Sequence, residues 1–168
     1  FFMCFSRTGF RQIKKILTLL LLFCVTAAKA DEKQCLTEAL YFEARNQGVL
    51  GMIAVGVVIQ NRVLHPDYPS TICGVVRQGR YANGSPVKYG CQFTYWCDGK
   101  PEDPDDEESW ELAEGIAFNL LTSKIDIVGI EGATHYHTDS VNPEWSILLD
   151  KLSKIGKHIF YAKQISCN

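Results

Sequence analysis

Val49-Leu50-Gly51-Met52-Ile53-Ala54-Val55-Gly56-Val57-Val58-Ile59 is an apolar run, and Gln60-Asn61-Arg62 follows it directly. The run is shorter than the ~20 residues that span a bilayer. Because it is apolar on all sides, it predicts a buried central helix. Gly51 and Gly56 are small positions at which neighbouring helices are expected to pack closely against it.

Two further helices are predicted around this central one. Residues 34–46 have an apolar stripe at helical spacing, formed by Leu36, Ala39 and Leu40 and continued by Glu43. Gly48 is expected to end that helix. Residues 109–121 form the third helix, whose core face is expected to contain Trp110, Ala113, Ala117 and Leu120.

Extended segments and turns make up most of the remaining chain. Asn83-Gly84 and Asp98-Gly99 are turn dipeptides, and strands are predicted over residues 92–96, 132–138 and 158–162. Asn142 before Pro143 predicts a helix start, with the helix running to Ile155 before Gly156. Helices segregated around a small antiparallel sheet place the chain in the α+β class.

The N-terminal segment has the three-part pattern of a secretory signal. A basic start precedes an apolar run over residues 16–28, and Ala28-Lys29-Ala30 has the small-x-small form of a cleavage site. We expect residues 1–30 to be a signal peptide and residues 31–168 to be one exported domain, periplasmic or extracellular, with no membrane span after cleavage. An uncleaved anchor is the alternative.

The charge of the expected mature domain limits its partners. Five of the 17 basic residues and none of the 19 acidic residues precede Asp31, so residues 31–168 carry a net charge of −7. A nucleic-acid-binding domain needs a basic face. We therefore expect no nucleic-acid partner.

The cysteines are expected to form disulfides, as is usual in exported chains. Cys91 and Cys97 are close enough to close a short loop, and Cys35 with Cys73 would tie the first helix to a later turn. Four cysteines allow three connectivities, so this pairing stays open. Cys167 is left over.

Glu43 is the candidate catalytic residue. It continues the apolar stripe of its helix, and partial burial there would raise the pKa of its carboxyl group and keep it protonated near neutral pH. A general acid in glycoside cleavage needs such a proton. The alternative is a helix-terminal glutamate paired with Arg45 or Arg62.

Tyr41-Phe42-Glu43-Ala44-Arg45 and several later blocks resemble, in the same order, the motifs of the SleB-type cell wall hydrolases. This family includes spore-cortex-lytic enzymes. The later blocks are Val58-Ile59-Gln60-Asn61-Arg62-Val63, Ile72-Cys73-Gly74-Val75-Val76, Cys91-Gln92-Phe93-Thr94, Cys97-Asp98-Gly99, Gly132-Ala133-Thr134-His135-Tyr136-His137, Pro143 with Trp145, Ile155-Gly156-Lys157-His158 and Phe160-Tyr161.

The resemblance implies a lysozyme- or transglycosylase-like helical lobe with a small antiparallel sheet. It implies cleavage of peptidoglycan between N-acetylmuramic acid and N-acetylglucosamine, with Glu43 as the acid/base. The family usually has a second acid in a Glu-Ala-Arg-Gly-Glu pattern, where this chain has Asn46-Gln47. A lytic transglycosylase needs only one carboxyl group and leaves 1,6-anhydromuramoyl products. Asp98 and Asp139 are the candidate second carboxylates of a hydrolase.

A substrate-binding groove is predicted beside Glu43. Gln92, Thr94, Tyr95 and Trp96 lie on an alternating stretch, so that some of them face either a groove or an aromatic core. The expected substrate contacts are Gln92, Phe93, Thr94, Trp96, Asp98, Thr134, His135, Tyr136 and His137. We expect a monomer that binds peptidoglycan glycan strands.

His135 and His137 raise one alternative. On a strand they would share a face and could bind one zinc ion, as in a metal-dependent peptidoglycan amidase. A third ligand at a recognisable spacing is missing from the sequence, so no metal or cofactor is expected. A third possibility is a wall-binding module without catalysis, because the second acid is replaced at Gln47.

Overall fold

The structure, a computed structural model, describes residues 31–163. Four α-helices occur in this part of the chain: α1 over residues 31–44, α2 (Gly48–Leu64), α3 (Ile72–Val76) and α4 (Glu107–Thr122). The strands are β1 (Gly79–Ala82), β2 (Ser85–Cys91), β3 (Ala133–Thr138), β4 (Asp150–Ile155) and β5 (His158–Ala162). Short 3₁₀ turns cover Arg45–Gln47, Thr94–Cys97 and Glu144–Leu148. The α+β class is confirmed.

Helix α2 lies at the centre of the core, as its apolar sequence predicts. The side chains of Met52, Val55 and Ile59 are fully buried, and even Arg62 near its end is only 5 % exposed. The helix ends at Leu64 because His65 precedes a proline and takes an extended conformation. The segment Asp31–Leu64 is long and apolar enough to cross a membrane, but half of its most apolar window is buried inside the protein.

Helices α1, α2 and α4 meet at Gly56. A Cβ atom at this position would lie 2.4 Å from Cδ1 of Leu120 on α4 and 3.3 Å from Cδ2 of Leu40 on α1. These distances are shorter than ordinary van der Waals contact, so the glycine allows the three helices to approach one another. The predicted close-packing role of this position is confirmed.

The strands form two small antiparallel sheets. β1 and β2 make a hairpin whose turn residues Asn83 and Gly84 have φ angles of 52° and 80°, as expected for an Asn-Gly turn. β3, β5 and β4 form a three-stranded sheet in that spatial order, with β5 in the centre. The strands predicted over residues 132–138 and 158–162 are confirmed.

The strand predicted over residues 92–96 is wrong, because Thr94–Cys97 forms a 3₁₀ turn. The cause is the disulfide between Cys91 and Cys97, whose Cα atoms are 6.2 Å apart. Six residues of extended strand would separate these atoms by roughly 20 Å. The alternation of exposure nevertheless survives, since Gln92 and Thr94 are exposed while Phe93 and Tyr95 are buried.

The helix predicted from Pro143 to Ile155 is also wrong. Only a 3₁₀ turn forms at Glu144–Leu148, and the chain then enters β4. Ile155 pairs with His158 across a tight turn in which Gly156 has a φ of 58°. Pairing with β5 bonds the backbone groups of β4 and thereby overrides the local helix-start signal.

Both expected disulfides are present. Cys35 is bonded to Cys73, with Cα atoms 5.2 Å apart, and so joins α1 to α3. Cys91 is bonded to Cys97 and closes the loop between β2 and the following 3₁₀ turn. Cys167 and the predicted signal peptide over residues 1–30 lie outside the described residues.

Replacement of both Cys35 and Cys73 by alanine is expected to lower the free energy of unfolding by roughly 4 kcal/mol, because this bridge spans a sequence separation of 38. The matched double alanine variant of Cys91 and Cys97 removes a bridge with a separation of 6 and should lose roughly 2 kcal/mol. Urea unfolding of both variants measures the difference. Equal losses would contradict this account of the two bridges.

Candidate active site

A cleft of about 240 Å³ lies beside the end of α1. Eight of the described residues line it, namely Glu43, Arg62, Gln92, Phe93, Thr94, His135, Tyr136 and Trp145. They come from α1, α2, the disulfide-closed loop, β3 and the 3₁₀ turn before β4. The fold therefore brings together six residues that the sequence singles out for the site, and adds Arg62 and Trp145.

Glu43 is positioned by the apolar stripe of α1. Leu36, Ala39 and Leu40 are fully buried, and Glu43 follows them on the same face in the last turn of the helix. Its carboxyl group is thereby drawn to the edge of the core, where one side meets protein and the other meets the cleft.

The surroundings of Glu43 favour its protonated form. Burial raises the pKa of its carboxyl group from the ordinary value of 4.5 to about 7. Two smaller effects oppose burial: the Tyr136 hydroxyl donates a hydrogen bond to Oε2 over 3.3 Å, and the positive charge of Arg62 favours the carboxylate. The group can therefore both give and regain a proton near neutral pH.

Glu43 is not held by an ion pair with either nearby arginine. Arg45 turns away and bonds Asp105, with Nη1 2.5 Å from Oδ1, and also bonds the Tyr41 hydroxyl. Arg62 acts on Glu43 through its charge, without an ion pair within 4.0 Å among the described residues. The alternative interpretation of Glu43 as half of a structural ion pair is therefore not supported.

Arg62 is buried at the inner end of the cleft. Its Nε donates a hydrogen bond to the carbonyl oxygen of Thr134 over 2.7 Å. Its guanidinium carbon lies 5.3 Å from the ring centre of Tyr68 and 5.5 Å from that of Phe93. In the sequence, Arg62 is recognisable only as a possible partner of Glu43 and as part of the block Val58-Ile59-Gln60-Asn61-Arg62-Val63. The available signal was a charged residue near the end of an otherwise buried helix.

His135 is uncharged near neutral pH. Burial, together with the smaller effect of the positive charge of Arg62, lowers the pKa of its imidazole to about 4. Its Nδ1 lies 3.0 Å from the Thr134 hydroxyl oxygen. A neutral imidazole in the cleft can donate one hydrogen bond and accept another.

Trp145 forms the aromatic wall of the cleft. Its ring centre lies 5.3 Å from that of His135, and the rings of His137 and Tyr161 contact it edge-to-face at 5.5 Å. These contacts hold the indole in place while leaving it half-exposed. Trp145 entered the sequence argument only through the family pattern, because the segment around it was interpreted as a helix.

Four predicted substrate contacts do not line the cleft. Trp96 donates its indole N–H to the Tyr81 hydroxyl, and Asp98 accepts from the backbone N–H of Lys100 within a turn. Thr134 is 2 % exposed and binds its neighbours through its backbone and hydroxyl oxygens. His137 is also buried. Of these four residues, Thr134 contacts Arg62 and His137 contacts Trp145, so both support the cleft from outside it.

Both ring nitrogens of His137 have protein partners. Nδ1 lies 2.9 Å from the Thr138 carbonyl oxygen, which can only accept, so Nδ1 carries the proton. Nε2 then accepts from the Tyr161 hydroxyl at 2.9 Å. No lone pair is left to bind a metal, so the geometry disfavours a zinc site built on His135 and His137.

Gln47 stands where the family pattern has a second acid, and it has a structural contact. Its Oε1 accepts a hydrogen bond from the backbone N–H of Lys157 over 3.0 Å, which joins the α1–α2 turn to the β4–β5 turn. The described residues that line the cleft do not include it. The position at which this chain differs from the family pattern therefore lies outside the cleft.

Substitution of Glu43 by glutamine is expected to stabilise the protein at pH 8 by about 2 kcal/mol, after allowance for partial exposure. Because folding raises this pKa, the unfolded chain loses the proton first as the pH rises from 4.5 to about 7, and stability falls across that window. At pH 4 the two proteins should be equally stable. Urea unfolding at both pH values measures this, with the exposed Glu111→Gln as control. An equal effect at both values would contradict the burial argument.

Comparison with known proteins identifies similar enzymes. The chain is 31 % identical over 131 residues to the spore cortex-lytic enzyme of Halalkalibacterium halodurans, covering 77 % of this chain and 34 % of the relative. It is 28 % identical over 130 residues to the spore cortex-lytic enzyme of Bacillus cereus, covering 77 % and 44 %. The chain thus spans between a third and a half of the length of these relatives.

Two solved structures are similar over nearly their whole length. The catalytic domain of the germination-specific lytic transglycosylase SleB from Bacillus anthracis has a TM-score of 0.60 and 28 % identity, with coverage of 77 % of this chain and 93 % of that chain. The catalytic domain of the Bacillus cereus SleB protein has a TM-score of 0.55 and 26 % identity, with coverage of 79 % and 90 %.

The cell wall hydrolase family itself matches residues 46–161. The matched range begins just after Glu43, so the argument for that residue rests on its burial and its place in the cleft. Since the match covers more than half of the sequence, this chain belongs to the cell wall hydrolase family.

Proposed function

We propose that this domain cleaves peptidoglycan glycan strands between N-acetylmuramic acid and N-acetylglucosamine, as a lytic transglycosylase with Glu43 as acid/base. One observation carries the proposal: among the described residues that line the cleft, Glu43 is the only carboxyl group, and burial raises its pKa to about 7, so that it can carry a proton near neutral pH. The similarity to a SleB catalytic domain described as a lytic transglycosylase supports the reaction type.

The first step is proton donation. Glu43 gives its proton to the glycosidic oxygen, the bond between this oxygen and C1 of the muramic acid breaks, and the electron pair leaves with the N-acetylglucosamine hydroxyl. Positive charge develops at C1 as Glu43 becomes a carboxylate. The Tyr136 hydroxyl donates to Oε2 and therefore stabilises that carboxylate.

The second step uses the same carboxylate as a base. Glu43 takes the proton from the C6 hydroxyl of the muramic acid, whose oxygen bonds to C1 and closes the 1,6-anhydro ring. Glu43 is thereby protonated again, and no water is consumed. A pKa of about 7 suits a group that acts as an acid in one step and as a base in the next.

A two-carboxylate hydrolase is less consistent with the geometry. Such enzymes place a second carboxylate across the bond from the acid. Asp98 bonds the backbone of its own turn. Asp139 accepts a hydrogen bond from Nζ of Lys154 at 2.7 Å, which lowers the pKa of its carboxyl group. Neither aspartate is among the described residues that line the cleft.

The walls of the cleft suit an amino sugar. Gln92 and Thr94 present amide and hydroxyl groups that match N-acetyl and sugar hydroxyl groups, and Trp145 offers a ring face for the apolar side of a pyranose. We assign Gln92, Phe93, Thr94, His135 and Tyr136 as substrate contacts, together with Trp145.

The substrate sets the expected location. Peptidoglycan lies outside the cytoplasmic membrane, so we propose an exported, periplasmic or extracellular domain, with residues 1–30 as the signal peptide. We further propose a monomer that acts without a cofactor on glycan strands. These proposals are consistent with disulfides at Cys35–Cys73 and Cys91–Cys97.

Glu43→Gln is expected to fold but to lose at least 1,000-fold in cleavage of purified peptidoglycan, because the amide has no proton to donate at this strength. Mass analysis of the products tests the reaction type. Wild-type protein should release 1,6-anhydromuropeptides, and Glu111→Gln, a solvent-exposed glutamate on α4, should do the same at the wild-type rate.

Other product patterns would overturn specific parts of the proposal. Reducing muramic ends would indicate a hydrolase, and released peptides with chelator sensitivity would indicate an amidase. Unchanged sacculi that still bind the protein would indicate a wall-binding module. Near-wild-type cleavage by Glu43→Gln would remove Glu43 from its role.

Trp145→Ala is expected to raise KM for soluble glycan fragments roughly tenfold while changing kcat much less, because about 1.4 kcal/mol of ground-state contact is lost. Ile147→Ala is the matched control, since Ile147 lies in the same 3₁₀ turn, is 81 % exposed and does not line the cleft. Steady-state kinetics measure KM and kcat for both variants. A fall in kcat at unchanged KM would place Trp145 in the chemical step instead.

A further inference from the structure

Arg62 is a buried cation that has no anionic partner among the described residues. Only 5 % of its surface is exposed. Its Nε bonds the Thr134 carbonyl oxygen, but its Nη1 is buried without any hydrogen-bond partner. The described carboxylates form no ion pair with it within 4.0 Å.

Such an arrangement is unfavourable for stability. Removing a charge from water costs several kcal/mol unless it is paired and fully hydrogen-bonded. In agreement, burial lowers the pKa of the Arg62 guanidinium below its usual value. The rings of Tyr68 and Phe93 compensate only in part through cation–π contact. The positive charge of Arg62 is therefore only partly compensated by the described residues around it.

We propose that Arg62 is the counter-charge of Glu43: its fixed guanidinium stabilises the carboxylate left behind when Glu43 gives its proton to the glycosidic oxygen. This inference rests on the proposed function of the cleft. Arg62 would act through Glu43 without touching the reacting atoms, so it is a positioning residue. The cleft carries one positive charge before proton transfer, and Arg62 and Glu43 form a neutral pair afterwards.

The other groups that face Glu43 do not supply this charge. From β3, Tyr136 donates a neutral hydrogen bond, and burial keeps His135 uncharged near pH 7. From the 3₁₀ turn, burial keeps the Tyr95 hydroxyl protonated. On α1 itself, Arg45 is engaged by Asp105. Arg62 is thus the one permanent charge among the described residues that line the cleft.

The geometry of Arg62 fits a fixed charge. Its hydrogen bond to Thr134 and its two ring contacts hold the guanidinium in one place, so that little reorganisation is needed when the carboxylate forms. The same charge acts on Glu43, His135 and Tyr136, and in each case it lowers the pKa. Burial is the larger effect on all three groups; the charge of Arg62 opposes it at Glu43 and Tyr136 and adds to it at His135.

Loss of the Arg62 charge should change the pKa of Glu43 in a defined direction. Without Arg62, Glu43 becomes a weaker acid and a stronger base, and its pKa rises above about 7. Proton donation should become slower at low pH, while the protonated form should persist to higher pH. A purely structural role would instead lower activity by the same factor at every pH.

The test measures the pKa of Glu43 directly, by NMR titration of the protein labelled with ¹³C in the glutamate carboxyl group. Arg62→Gln and Arg62→Met should raise this pKa by roughly one unit, and Arg62→Lys, which keeps the charge, by less than half as much. Arg77→Gln is the matched control. Arg77 is half-buried, and its guanidinium carbon lies 4.7 Å from the ring centre of Trp96, but its charge is not among those that shift the pKa of Glu43.

The pH profile of cleavage provides the second arm. In the neutral Arg62 variants, the fall in kcat/KM at high pH should move upward by the same roughly one unit, and the plateau at low pH should drop. If Arg62→Lys shows the fall in kcat/KM at the same pH as the wild-type protein, the positive charge of residue 62 is the cause of the shift. If neither the high-pH fall in kcat/KM nor the pKa of Glu43 shifts in the neutral variants, the inference is overturned.

A measurement on wild-type protein covers the case in which the neutral variants do not fold. The guanidinium ¹⁵N signals of Arg62 should change with a midpoint at the Glu43 pKa, about 7, and should not do so in Glu43→Gln. If the Arg62 signals do not change as Glu43 titrates, the proposed pairing of the two residues is wrong.

The two proposals fail in different ways. If the titrations behave as expected but no anhydromuropeptides form, the proposed function fails while the pairing of Arg62 with Glu43 stands. If cleavage proceeds normally but the Arg62 variants leave the Glu43 titration unchanged, only the pairing fails.

Discussion

The contact between the end of α2 and the edge of β3 positions the whole cleft. Asn61 donates to the Ala133 carbonyl oxygen over 2.9 Å, and Arg62 donates to that of Thr134 over 2.7 Å. β3 is an outer strand of its sheet, and its pairing with β5 is irregular between Ala133 and His135, where these two carbonyl groups lie. Two consecutive side chains of the buried helix therefore join α2 to the start of β3.

This contact places β3, which carries Tyr136, beside the packed helices, which carry Glu43. Tyr136 extends from β3 to Glu43 at the end of α1, which α2 holds in place through the packing at Gly56. Glu43 lies at the end of the face of α1 that packs into the core, so the same packing desolvates its carboxyl group. The acid strength of Glu43 is therefore a consequence of how the helices pack, combined with the hydrogen bond from the sheet.

Helices α1, α2 and α4 could be predicted from the sequence because their signals are local and agree with their burial, whereas the short helix α3 was not predicted. The apolar stripe of α1 predicts the place of Glu43, and the all-round apolar run predicts α2. The region of residues 143–155 could not be predicted, because β4 exists through pairing with β5, a tertiary contact that no local pattern encodes. Trp145 was missed as a site residue for the same reason. Arg62 was missed because a charged residue near a helix end usually faces solvent.

Gln47 has an amide where the family pattern has a second acid. A carboxylate there could accept the Lys157 N–H equally well, so the structural contact does not require an acid. Gln47 does not line the cleft, and Glu43 is the sole carboxyl group among the described cleft residues, together with a single buried cation. In the proposed reaction the sugar supplies its own nucleophile and no water has to be activated, so one acid and one counter-charge would be sufficient. A two-carboxylate mechanism would instead place a second negative charge in the cleft, where Arg62 could no longer balance the pair.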